Sequence, residues 1–259
     1  MLRVFTEYRK TAALGILVTV ALTALFMAMG EGPFAIFVVI LSLWVTWLFS
    51  LYKAIKEHQS MLDILYQDMD AHRFLEEYGK RLSAARKGSS FEAAMRAHMG
   101  NACVMLGKYG EALEWFQTDC PKPDVCLLMA ENRAACLQRM KSPELPAALN
   151  TWKQCMGRVK KSRRALSEQS YHLLEIRTAI EEKRADEAMQ GEIQTNAKLS
   201  NKRSYRVSMK LLLARIYIQR GFLDAARDEL KQIAAQKADT QEIREARRML
   251  MEWETATKA

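Results

Sequence analysis

Histidine, cysteine and clustered carboxylates carry most enzyme chemistry, and in this chain they are few or dispersed. The four histidines, His58, His72, His98 and His172, form no HExxH or comparable ligand spacing. The five cysteines, Cys103, Cys120, Cys126, Cys136 and Cys155, include no CxxC pair, so neither a zinc ribbon nor a thioredoxin-like site is expected. Cys103 and Cys136 stand among apolar residues, where a thiol acts as a small core side chain. Cys120 and Cys126 flank a Pro-containing turn with no histidine spaced to activate them. Gly-rich phosphate loops and a GxSxG elbow are absent from the sequence. Acidic residues alternate with basic ones at helical spacing, as in Glu242-Ile243-Arg244-Glu245-Ala246-Arg247, which reads as a solvated face with i,i+4 pairs. No enzymatic activity, cofactor or metal is expected.

The basic residues are denser. Lys plus Arg total 39 against 30 Asp plus Glu, a formal charge of +9. Lys153, Arg158, Lys160, Lys161, Arg163 and Arg164 make one run, and Lys198, Lys202, Arg203, Arg206 and Lys210 another. Three readings stand: a solvated surface, contact with anionic lipid, or nucleic-acid binding on charge alone. The last lacks the aromatic stacking platform that single strands need.

These residues must be positioned by helices. Only 5 Pro and 11 Gly occur in 259 residues, and the helix-favouring residues are abundant, which excludes a β-sandwich, a collagen-like chain or general disorder. Residues 11–29 and 34–52 are free of charged side chains, and Gly30-Glu31-Gly32-Pro33 separates them. Each run makes a helix of about 28 Å, close to the bilayer's hydrocarbon thickness. The reading is a transmembrane helical hairpin over 11–52, with Pro33 in the first turn of the second span. A cleaved signal peptide would not carry a second full span four residues later. Arg3, Arg9, Lys10, Lys53 and Lys56 flank the hairpin and the linker has no basic residue, so both ends and the 1–10 tail are expected in the cytoplasm. The odd cysteine count fits that reducing side. A bacterial plasma membrane is the expected setting.

Apolar spacing continues through Ile55, Met61, Leu65, Met69, Phe74 and Tyr78, and predicts that the second span runs on into a helical stalk over 53–87. Lys87-Gly88-Ser89-Ser90 should stop it. From 88 to 259 the chain reads as repeated helix–turn–helix. Arg96–Phe116 places Gly100 and Ala112 where two helices would cross closely, with Gly107 in the turn, Tyr109 after it and Phe116 beyond. Leu212–Ile233 does the same with Ala214 and Ala226, together with Tyr217, Gly221, Leu223, Leu230 and Ile233. Weaker units put Ala148 and Ala188 at the second small site, with Trp152 as the large residue of the former. The alanines at 112, 148, 188 and 226 are 36, 40 and 38 residues apart. This pattern resembles the tetratricopeptide repeat, so the expected fold is all-α: a membrane hairpin followed by a tetratricopeptide-like α-solenoid. Asp119, where the family favours Ala, and the early Pro121 and Pro123 depart from its pattern. The last helix, about 240–255, is expected as a charged solubilising cap.

The resemblance implies a protein-binding groove lined by the first helix of each unit. By register its inward candidates are Asn101, Val104 and Met105, then Arg177 and Ile180, then Arg215, Ile218 and Gln219. Arg177 and Arg215 stand 38 residues apart at one repeat position. Bidentate Arg would favour an acidic or C-terminal carboxylate-bearing protein segment, unless both side chains point into solvent. The Lys-plus-Asn clamp of some chaperone-binding family members is not reproduced, because Ala97 stands where the Lys would be. The sequence therefore predicts a membrane-anchored adaptor for a protein partner. Its rivals are a structural subunit of a transport or secretion complex and a membrane-tethered nucleic-acid binder.

Overall fold

The computed structural model describes residues 9–30, 32–84, 90–116 and 122–258. The 1–8 tail, Glu31, the Lys87-Gly88-Ser89 stop and the Asp119-Cys120-Pro121 segment lie outside the described residues. Among the described residues there are twelve helices and no strand. The chain divides into two compact units, Met1–Leu62 and Asp63–Ala259.

In the first unit, α1 (Arg9–Ala28) and most of α2 (Gly32–Tyr66) lie antiparallel. Thr19 Oγ1 donates to Ser42 Oγ at 2.8 Å. Closer to the hairpin tip, the rings of Phe26 and Phe34 meet edge-on with centroids 4.9 Å apart. Farther from it, Gly15 lies against Thr46 so closely that a Cβ would overlap that side chain. Early residues of one helix thus meet late residues of the other. The rest of the surface is apolar and exposed, as at Leu17 and Ile36. Among the described residues, only α2 is long and apolar enough to cross a membrane, over Ile36–Tyr66; Ala13–Ala28 is a shorter apolar helix.

The second span does run on past Tyr52, but it does not carry through, straight or slightly bent, to Tyr78. α2 ends at Tyr66, and Met69 takes a left-handed backbone with φ 58°. Asp70 Oδ1 then accepts from the Arg73 N–H at 3.0 Å, capping α3 (Ala71–Ala84). The break turns Met69, Phe74 and Tyr78 into the interior of the second unit, where all three are buried. Burying three large apolar side chains outweighs one strained residue.

Four helix–turn–helix units follow in chain order: α4 (Ser90–Met105) and α5 (Tyr109–Trp115), α6 (Pro123–Arg139) and α7 (Leu145–Gly157), α8 (Lys161–Glu181) and α9 (Glu187–Leu199), and α10 (Arg203–Gln219) and α11 (Leu223–Ala234). Every first helix ends the same way. One left-handed residue follows it, Gly107, Lys141, Lys183 or Gly221. The next N–H then bonds back five residues, as in Lys108 to Cys103 O at 2.9 Å and Phe222 to Tyr217 O at 2.9 Å. Glycine does this without strain. The two lysines do it against a Cβ penalty of about 1–2 kcal/mol.

Small residues close three of the pairs: Gly100 lies under the Phe116 ring, and Ala112, Ala148 and Ala226 are buried. Ala188 is exposed instead. α9 packs along α10 rather than α8, turning Ile193 and, partly, Met189 into the core, so its inward register is offset from the one Ala188 implied. Trp152 is buried and donates through Nε1 to Ser167 Oγ at 2.7 Å, joining α7 to α8.

The last helix, α12 (Gln241–Lys258), is more than a charged cap. It packs on α10, α11 and α4, burying Ile243 and Ala246 beside Met69, Val207 and Leu211. Arg244 Nη2 donates to Leu106 O at 2.6 Å, tying α12 to the end of α4. The helix array in this unit therefore closes on its own inner face.

Candidate ligand cavity at the inner face of the helix pairs

Closure leaves a cavity of about 260 Å³ inside the second unit. Each first helix contributes to it. α4 brings Asn101, Val104 and Met105, α6 brings Arg139, α8 brings Arg177, and α10 brings Tyr205 and Ser208. Tyr66 and Met69 line it from the N-terminal side, and Thr240 and Glu242 from α12 and the residue before it. Helical spacing explains the α4 set, since 101, 104 and 105 share one face.

Asn101 stands six residues before its left-handed turn residue, and Arg177 and Arg215 stand six before theirs. In α6 that position is Ala135, and the charge comes one turn later, at Arg139. Their surroundings differ. Arg139 Nη1 meets Glu242 Oε1 at 2.9 Å. Burial opposes its charge, but Glu242 and the Tyr109 hydroxyl hold its pKa above the ordinary guanidinium value. Arg215 is paired with Glu245.

Among the described residues no carboxylate pairs with Arg177. Its Nη2 donates to Ser208 Oγ at 3.1 Å, and its buried Nε has no acceptor. Desolvation, reinforced by the like charge of Arg139, pushes its pKa down to about 10. The guanidinium is still charged at neutral pH, and with only the more distant pull of Glu242, which is already paired with Arg139, to offset its burial, holding it there is costly.

Further polar groups line the same cavity. Lys202 lies over the Tyr66 ring, Nζ 4.5 Å from the centroid, and is exposed at the rim. The Tyr66 hydroxyl is 3.1 Å from His98 Nδ1 and accepts from Asn101 Nδ2 at 3.3 Å. Ser204 also lines the cavity.

Of the eight residues singled out by register, Asn101, Val104, Met105 and Arg177 come together here. Ile180 is 3% exposed and packs with Ile176, Ile193 and Ile216, so it offers no face to a partner. Gln219 donates to the Ile180 carbonyl, while Ile218 and Arg215 are half-buried outside the cavity. Sequence reasoning missed Tyr66, Arg139, Ser208 and Glu242. Arg139 had a signal, being a basic residue in the last turn of a first helix. The others had none, because their role depends on chain closure.

Most residues of the basic runs stay exposed, but several are engaged by the fold. Arg163 pairs with Glu131 at 3.3 Å, and Arg164 Nε donates to Met156 O at 3.0 Å. Lys153 lies over the Tyr171 ring and Lys210 pairs with Glu229 at 3.1 Å. Among the described residues, no group of three His, Cys, Asp or Glu side chains could hold a metal ion. The buried thiols are suppressed as nucleophiles: desolvation raises Cys103 and pushes Cys136 up to about 11.

No family model, curated protein or solved structure matches the chain.

Proposed function

We propose that the protein is a membrane-anchored helical-repeat adaptor that receives a protein partner on the inner face of its helix pairs. The observation that carries this reading is the convergence of Asn101, Val104, Met105 and Arg177, from two first helices, on one cavity. The shared turn closure of all four first helices supports a repeat of the tetratricopeptide kind. Excess positive charge on that face favours an acidic or C-terminal carboxylate-bearing segment.

The anchor is α1 together with α2, two spans joined by the Gly30–Pro33 linker, with both ends on the cytoplasmic side. The apolar exposed surface of the hairpin supports it, since such a surface is stable only against lipid or another apolar partner. Anchoring confines the search for a partner to a thin layer and raises its effective concentration.

Photocrosslinking tests both halves. A crosslinkable residue is placed at Val104 or at Met105 in the full chain, in native membranes. One discrete protein adduct from both positions, diminished by Asn101→Glu, is expected. The adaptor reading is lost if neither position gives an adduct above that from exposed Leu166 on α8. Release of the intact protein from membranes by alkaline carbonate would remove the anchor.

A further inference from the structure

We propose that the Arg177 end of the cavity is a binding site for a phosphate monoester group. This goes beyond the protein-partner reading and stands without it.

The argument starts from charge. Arg139 is neutralised by Glu242, but Arg177 and Lys202 line the same cavity without a carboxylate partner among the described residues. Two unmatched cations call for a dianion rather than a single carboxylate. A phosphate monoester carries about −1.5 to −2 at neutral pH and three strong acceptor oxygens.

Donor chemistry points the same way. Arg177 Nε is buried with no acceptor, and its Nη2 is the group already engaged with Ser208. Because Ser208 Oγ accepts from that Nη2, its own proton is available to a ligand oxygen. The Ser204 hydroxyl lines the same wall, in the first turn of the 17-residue α10, where the helix dipole also favours negative charge. Met69, Val104 and Met105 line the same cavity and suit the short organic body of an ester. A volume of about 260 Å³ has room for a phosphate with such a body. Lys202, stacked over Tyr66 at the rim, supplies the second charge and contacts the entering group.

The group can be carried by a small molecule or by a phosphorylated side chain, and the experiment separates the two. Full-length protein in detergent micelles is titrated with glycerol 3-phosphate, a phosphoserine peptide, its unphosphorylated form and acetate at constant ionic strength. Binding is read by calorimetry and by the thermal midpoint. Saturable stabilisation by a phosphate probe, with acetate and the plain peptide inert, is the expected result. Arg177→Gln should weaken binding at least tenfold and Lys202→Gln several-fold, while Arg206→Gln, which lies outside this cavity, should leave it unchanged. Lys202 is exposed, so its variant keeps the test alive if Arg177→Gln does not fold. A response to glycerol 3-phosphate assigns a small ligand, and one to the phosphopeptide alone assigns a modified protein. The proposal is overturned if acetate matches the phosphate probes, if none binds, or if Lys202→Gln and Arg177→Gln both bind as the unaltered protein does. Loss of the crosslinked partner would not touch it.

Discussion

Arg139 and Glu242 are 103 residues apart in the chain and meet at 2.9 Å, both side chains mostly buried. The pair joins α6 to α12 and thereby holds the inner face of the second unit closed. Breaking a buried pair from one side leaves a desolvated charge behind, which costs about 3–5 kcal/mol. Arg139→Ala should therefore lower the thermal midpoint sharply, and Arg139→Met combined with Glu242→Leu should lower it less than the two single changes together. A double-mutant cycle checks this; strictly additive effects would mean that the residues do not act as a pair.

Gly100 and Phe116 make the closest helix approach of the first pair. A Cβ at position 100 would overlap the ring, so Gly100→Ala is expected to destabilise by about 1–3 kcal/mol despite alanine's better helix propensity. Adding Phe116→Leu, which gives the new methyl room, should recover part of the loss. A stabilised Gly100→Ala protein in chemical denaturation would show that the helices are not in contact there.

The hairpin makes a covalent prediction. Thr19 and Ser42 hydroxyl oxygens are 2.8 Å apart, within reach of a disulfide. In a background lacking the five native cysteines, Thr19→Cys with Ser42→Cys should crosslink within one chain under mild oxidation, seen as a mobility shift on a non-reducing gel. Thr19→Cys with Leu48→Cys, displaced by more than one turn, should not. Equal crosslinking of both pairs would dissolve the antiparallel register.

His172 gives a pH dependence of known sign. It faces Glu175 at 3.4 Å and Glu192 at 3.0 Å, bridging α8 and α9. Its pKa is raised, chiefly by the Glu175 hydrogen bond and, against desolvation, by Glu192. A raised histidine pKa stabilises the fold fully below the unfolded value of about 6.5. That contribution fades as pH rises through the folded value. The side chain is 52% exposed, so solvent screening keeps it under about 1 kcal/mol. The midpoint difference between the unaltered protein and His172→Gln should be present at pH 5.5 and gone by pH 8.5. A difference independent of pH would refute the ion-pair origin.

Much of the local structure was legible in the chain. The two uncharged runs mark α1 and the first part of α2, because the pattern extends over a full apolar span. Gly107 and Gly221 mark two turns, because glycine takes positive φ at no cost. The turn after Lys141 was marked by Ser142-Pro143-Glu144-Leu145-Pro146, but the left-handed residues Lys141 and Lys183 themselves were silent, since lysine is an ordinary helix surface residue and only its neighbours' packing makes it left-handed. The Met69 break was hidden for the same reason. Asp68-Met69-Asp70 interrupts no apolar period, and what bends the chain there is the core formed by α10, α11 and α12.

Composition and spacing by themselves determined an all-helical chain with an oily N-terminal region, and they named Asn101, Val104, Met105 and Arg177 as inward-facing. Those features depend on side chains within one or two turns of each other. Tertiary structure alone decided that the array closes, that Ile180 is core, and that Arg139 and Arg215 are paired while no carboxylate among the described residues pairs with Arg177. Such outcomes rest on which carboxylate arrives from α12, and a contact across 103 residues leaves no periodic trace in the sequence.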